Sequence, residues 1–121
     1  HHGWYRRQRQ MCIRDRANAL TLCDDLEIAG KWDLVLVNLP HRTIEFLPAI
    51  IPLVDRTSPS MIRGRVIVEE SEIEQANQTI RAILPELMPD KPQPSLKIKR
   101  DYSASLRLCS FEAWVRQEET N

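Results

Sequence analysis

Asp33 to His41 reads DLVLVNLPH, and the fold turns on how this stretch is read. Its four consecutive apolar residues, Leu34, Val35, Leu36 and Val37, leave no polar face for water, the pattern of a central parallel strand with helices on both sides. The run stops at Asn38, and Pro40 removes a ladder donor and turns the chain out of the sheet. In an open α/β sheet, ligands bind at such carboxyl strand ends. Asn38 offers an amide donor and a carbonyl acceptor there, and the carbonyl of Leu39 leaves the ladder as the chain turns. Such a set can hold the edge of a planar base. The same residues also make an ordinary turn, in which Asn38 only satisfies the backbone.

Downstream, Thr43 to Val54 has helical apolar content in Ile44, Leu47, Ile50, Ile51 and Val54, but Pro48 and Pro52 each remove an internal bond, so the helix is expected to be kinked or broken. A strand follows within Met61 to Val68, most securely Arg65 to Val68, with Gly64 marking a bend or bulge. Ser71 and Glu74 form an S-x-x-E capping box, and Ile73, Ala76, Ile80, Ile83 and Leu84 give the helix behind it one apolar face. Pro85, Pro89, Pro92 and Pro94 make a stiff linker back across the sheet. Leu96 to Arg100 and Leu106 to Val115 close the chain; the second is apolar on both faces and reads as interior. The connection between them is too short for a parallel crossover, so the pair is an antiparallel hairpin at a sheet edge.

Upstream, Ala19 to Cys23 reads as a short strand within NALTLC, with Asp24 as a candidate cap for a turn that Gly30 closes. Residues 1 to 16, HHGWYRRQRQMCIRDR, differ in kind, with five arginines, one acid and no usable hydrophobic period. At face value they form a basic arm for nucleic acid. MCIRDR, however, resembles the translation of a transposase adaptor used in library preparation, so 1–16 is expected to be a non-native segment and 17–121 the domain. Without the arm, twelve basic and sixteen acidic residues remain, a net charge of minus four, and any RNA contact must come from a local patch.

At 121 residues the chain makes one domain with a single core. Cys12, Cys23 and Cys109 are odd in number and widely spaced, which frames neither a disulfide set nor a metal site, and the three histidines add none. With only Gly3, Gly30 and Gly64 there is no Gly-rich phosphate or cofactor loop. No apolar run is long enough to span a bilayer, and the chain is expected to be soluble and cytoplasmic, without membrane contact.

The order strand, short helix, strand ending in N-L-P, helix, strand, helix and terminal antiparallel pair resembles the second half of a class I S-adenosylmethionine (AdoMet) methyltransferase. Within that class, VLVNLPHRTIEFLP resembles the motif of the archaeal and eukaryotic tRNA (guanine-N1)-methyltransferases that modify the purine just 3′ of the anticodon. KIKRDYSASLRLCSFEAWV looks like the closing strand pair of that family, and Asp24 stands fourteen residues before Asn38, as the family's adenine-contacting acid does. The resemblance covers about residues 18 to 116 and implies a C-terminal half of a Rossmann-like α/β sheet. It also implies AdoMet as cofactor, tRNA as partner and a monomer when full length.

Carried over by position, the resemblance makes Asn38, Leu39 and Pro40 the lining of the pocket for the target guanine. Asn38 is then the candidate catalytic residue, acting as a clamp, and Asp24 faces the cofactor's adenine. Methylating guanine N1 needs a base, a guanine clamp and a cofactor site to converge, and these residues supply only the clamp. The family's Gly-rich loop, ribose-binding acid and proton-removing residues have no counterpart here, so the chain is expected to be inactive alone. The implied half-sheet leaves Leu34–Val37 at an exposed edge, with Ala19–Cys23 loosely attached or paired in the vacated place beside it.

Two other readings stand beside this one. The wybutosine-pathway transferase moves an aminocarboxypropyl group from the same cofactor on a similar half-fold, but departs from N-L-P at the central motif. A non-catalytic RNA-binding module would use Lys97, Lys99, Arg100 and Arg107, with Tyr102 as a stacking platform. The plain alternative for those charges is an edge hairpin whose lysines discourage pairing with other chains. His41 is placed as a surface residue and Cys23 and Cys109 as buried, inert thiols.

Overall fold

The structure, a computed structural model, describes residues 9–15, 29–57, 59–84 and 90–115. Five strands form one sheet: β1 (Gln10–Ile13), β2 (Leu34–Val37), β3 (Ser60–Glu69), β4 (Lys97–Asp101) and β5 (Leu106–Val115), in the spatial order β1-β2-β3-β5-β4. β1, β2 and β3 are parallel, and β5 runs antiparallel to both β3 and β4. Among the described residues two helices connect them, α1 (Thr43–Ile50) after β2 and α2 (Ile73–Ile83) after β3.

β2 lies between two parallel neighbours, as its apolar run requires, with Val35 and Val37 fully buried. The structure corrects the expectation that β2 is an exposed edge: Met11 pairs with Val35 and Ile13 with Val37. The pairing strand comes from QMCI, within the segment read as lacking a hydrophobic period. Two apolar side chains at alternate positions are enough for a strand of four, and Ile13 is fully buried. Ala19–Cys23, Asp24 and the turn after it lie outside the described residues. Gly30 adopts φ 71°, the left-handed conformation expected of it, and its N–H donates to Pro52 O at 2.8 Å.

α1 buries Thr43, Phe46, Leu47 and Ile50, the spacing of one helix face. It gives way to a 3₁₀ turn at Ile51–Leu53, the break expected from the two prolines. Side chains alternate along β3. Ile62, Gly64 and Val66 face the helices with Val35, Val37, Phe111 and Ala113, and Arg63 and Arg65 point to the other face. Among the described residues no helix covers that other face.

Gly64 makes no bulge. It sits in a regular ladder between Val37 and Phe111, and a Cβ there would lie 2.6 Å from the Phe111 ring and 3.1 Å from the Thr43 methyl. The glycine therefore answers a close approach of ring to backbone, and the register shift falls instead between Ile98 and Arg100. The Ser71–Glu74 capping box is also absent. Glu70–Glu72 form a 3₁₀ turn, α2 starts at Ile73, and no side chain caps it. Glu70 is held otherwise, its N–H donating to Ser105 O at 3.0 Å and its carboxylate accepting from the Arg107 guanidinium at 2.7 Å.

Within α2, Asn77 is buried. Its Oδ1 accepts the Leu96 N–H at 2.7 Å, and Arg81 Nε donates to Pro94 O at 2.9 Å. Together they fasten the return linker that the proline spacing called for; Pro85 and Pro89 lie outside the described residues. The closing hairpin is as expected, with β5 interior and all five residues of β4 exposed.

Candidate functional site at the carboxyl ends of the parallel strands

Asn38 is the first residue past β2. Its backbone N–H donates to Ile13 O at 2.8 Å, extending the β1–β2 pairing by one rung, and its side-chain amide has no partner among the described residues. The side chain is exposed and borders a cavity of about 290 Å³. Cys12, Ile13 and Arg14 from β1 and just past it form one wall, and Arg63, Gly64 and Arg65 from β3 another. The cavity lies over the sheet face that carries no helix among the described residues, beside the carboxyl ends of β1 and β2 and the middle of β3.

Leu39 and Pro40 are placed differently. Leu39 is buried in the core, and Pro40 is half-buried away from the cavity walls. The Leu39 carbonyl does leave the ladder, but it accepts the Arg42 N–H at 2.7 Å and lies 2.9 Å from the Thr43 hydroxyl. The Pro40 carbonyl accepts the Ile67 N–H at 2.9 Å. Of the three N-L-P residues, only Asn38 keeps hydrogen-bonding capacity for a ligand.

Thr43 was not singled out by the sequence. It is 1% exposed, and its hydroxyl reaches Arg65 O at 2.7 Å as well as Leu39 O, so it ties the turn after β2 to β3. The local signal is a β-branched alcohol at the first helical position, where it can bond the turn that precedes it.

The closing hairpin reaches the same end of the sheet. His41 and Tyr102 meet edge to face with ring centroids 5.7 Å apart. Arg107 clamps the hairpin: it pairs with Glu70 and, through Nε, with Asp101 at 3.3 Å, and it donates to Ser103 O at 3.2 Å and Leu106 O at 3.0 Å. Of the five residues proposed to touch RNA, Arg107 is thus engaged within the protein, while Lys97, Lys99, Arg100 and Tyr102 are exposed. Burial pushes the Cys109 thiol up, against the opposing charge of Arg107, and the thiol stays protonated at neutral pH. Among the described residues no group of His, Cys, Asp and Glu could hold a metal ion.

The opposite end of the parallel strands carries a polar clasp. Arg9 donates its backbone N–H to Asp33 at 3.1 Å, and its guanidinium bridges Asp33, at 3.1 Å, and Asp55. Burial opposes ionisation of Asp55, but hydrogen bonds from the Thr57 backbone and hydroxyl and the charge of Arg9 outweigh it, holding the carboxyl below the usual range.

AdoMet can be tested against the donor set of the Asn38 cavity. The cofactor carries a cationic sulfonium and amine and a ribose diol that calls for acceptors, whereas the cavity presents Arg14, Arg63 and Arg65 and no carboxylate. No Gly-rich loop follows β1. Among the described residues this set does not fit the cofactor, and no chemical step is derived through it.

No protein-family model and no curated protein sequence matches the chain. Solved structures do. M. jannaschii TYW2 in complex with AdoMet is similar at 13% identity with a TM-score of 0.60 over 90% of this chain and 57% of that one. PH0793 of Pyrococcus horikoshii, described provisionally as a transferase, is similar at 12% identity with a TM-score of 0.61 over 92% of this chain and 49% of that one. The chain spans about half the length of these structures, and its mixed α/β sheet has the Rossmann-like fold of AdoMet transferase structures.

Proposed function

We propose that this chain is part of an AdoMet-dependent transferase that modifies tRNA, and that Asn38 clamps the Watson–Crick edge of the target purine. The observation that carries the reading is the unpartnered Asn38 amide at the mouth of a cavity outside the carboxyl end of β2. Its paired donor and acceptor suit a guanine edge, and the N-L-P motif favours methyl transfer to guanine N1. The likeness to TYW2 favours a second reading, aminocarboxypropyl transfer in the wybutosine pathway. In either case AdoMet is the group donor, with Asp24 the acid that the resemblance assigns to its adenine. The chain alone is then inactive, and a cytoplasmic monomer when whole.

The test is binding of anticodon stem-loop RNAs carrying guanine or 1-methylguanine, whose N1 can no longer donate to the amide, at the target position. A bidentate amide contact is worth about 1–3 kcal/mol, so the guanine RNA should bind roughly tenfold tighter or more, and Asn38→Ala should erase the difference. Equal binding of the two RNAs by the unaltered chain would falsify the clamp. With AdoMet and the complete protein, the nucleoside mass separates methyl from aminocarboxypropyl transfer.

A further inference from the structure

A second, larger cavity of about 430 Å³ lies on the sheet face that carries no helix among the described residues. Arg63, Arg65, Lys97, Lys99 and Trp114 line it, and it shares Arg63 and Arg65 with the Asn38 cavity. The two form one path from the exposed hairpin edge across β3 to Asn38. Register explains the clustering. Arg65, Ser110 and Lys97 are aligned across β3, β5 and β4, which sets the two cations roughly 10 Å apart, and Arg63 and Arg65 stand roughly 7 Å apart along one strand.

Only part of this charge is neutralised within the chain. Arg63 Nε donates to Glu112 at 2.8 Å, whereas Arg65, Lys97 and Lys99 have no ion-pair partner among the described residues. Like charges gathered on one sheet face oppose folding. Protection of an edge strand accounts for Lys97 and Lys99 on β4, but not for Arg63 and Arg65 on β3, which has neighbours on both sides. Trp114 adds a half-buried aromatic face, with Lys91 Nζ 4.9 Å from its centroid. A cationic groove beside an aromatic platform is the pattern that holds single-stranded nucleic acid. The formal charge of the whole chain is zero, so this is a local feature and not a general field.

We infer that this groove is a track for single-stranded RNA, with Arg65, Lys97 and Lys99 on successive phosphates and Trp114 stacking a base, leading the strand to Asn38. The inference rests on the tRNA reading for the strand's destination but makes its own demand on salt dependence. The probe is a short fluorescein-labelled oligouridylate bound across a salt series. Arg65→Gln, Lys97→Gln and Lys99→Gln should each weaken binding several-fold at low salt and flatten the slope of log affinity against log salt by about 0.7. Lys31→Gln, at the far end of the strands, should change neither. RNA should quench tryptophan fluorescence, and Trp114→Phe should lose most of that quench with the slope intact.

Unchanged slopes in all three variants overturn the track. So does a polyglutamate competitor that binds the groove as tightly as RNA without quenching, which would mark the face as a seat for an acidic polypeptide. Flattened slopes in the three variants without a guanine preference at Asn38 leave this inference standing and overturn the tRNA-modifying one. Guanine preference with unchanged slopes does the reverse.

Discussion

The two ends of the parallel strands use arginine in opposite ways. At the amino ends, Arg9 is shared between Asp33 and Asp55, and Asp55 is further bonded by Thr57, so the charges there are partnered within the chain. At the carboxyl ends, Asn38 has an unpartnered amide and Arg65 has no carboxylate beside it among the described residues. A satisfied, part-buried network stabilises the native state, whereas exposed donors are solvated by water at little cost and stay available to a ligand. One end holds the sheet together, and the other carries the proposed site.

That contrast is broken most severely by loosening the strand both ends share. Ile13 is fully buried at the carboxyl end of β1, so Ile13→Ala should cost about 2–5 kcal/mol in urea denaturation. An unchanged midpoint would show that β1 is no part of the folded domain and return 1–16 to the status of an appended tail. Next in size is Gly64→Ala, whose Cβ meets the Phe111 ring at 2.6 Å. It should cost about 1–3 kcal/mol, and pairing it with Phe111→Leu should recover part of that loss.

The clasp is tested by acid. The folded pKa of Asp55 lies below its ordinary 3.8, so its stabilisation is complete above that range and disappears as pH falls through the lower folded value. Asp55→Asn should cost about 1–3 kcal/mol at pH 7, and its urea midpoint should converge with that of the unaltered chain as pH falls below about 4. A gap that stays constant into acid would assign the loss to packing instead of charge. The smallest effect on stability belongs to the binding end: Asn38→Ala should shift stability by less than about 0.5 kcal/mol while removing base preference, which sharpens the division between the two ends.

The sequence showed most clearly what local pattern determines. The LVLV run, the helix broken at Pro48 and Pro52, and the interior β5 beside an exposed β4 are all present. β1 was hidden because two apolar residues in a cationic segment carry almost no periodic signal, and only the apolar edge of β2 selects them. Gly64 was recognised as special for the wrong reason, since a bulge and a ring packed against backbone ask for the same residue and the ring arrives from 47 positions away in the chain. The capping box failed because Glu70 and Arg107, far apart in sequence, hold the start of α2 differently. At the site, Asn38 was legible from its place after an apolar run. Thr43 and Asn77 were not, because a buried polar side chain is explained by its partners, here Arg65 O and the Leu96 N–H. Arg63 and Arg65 looked like the solvent-facing half of an alternating strand until register set them beside Lys97.

The β3–β5 ladder has a further consequence, in the entropy of chain closure. Its rung nearest the hairpin, Glu69 with Leu106, joins residues 37 positions apart, and its last, Ser60 with Val115, joins residues 55 apart. Loop closure separates these two starting points by only about 0.4 kcal/mol. The order in which the rungs form is therefore left to local contacts. The clamp of Arg107 on Glu70 and Asp101 and the turn bonds from Tyr102 and Ser103 to Leu106 all lie at the carboxyl end, so the end that carries the proposed site is also the end from which the ladder is favoured to close.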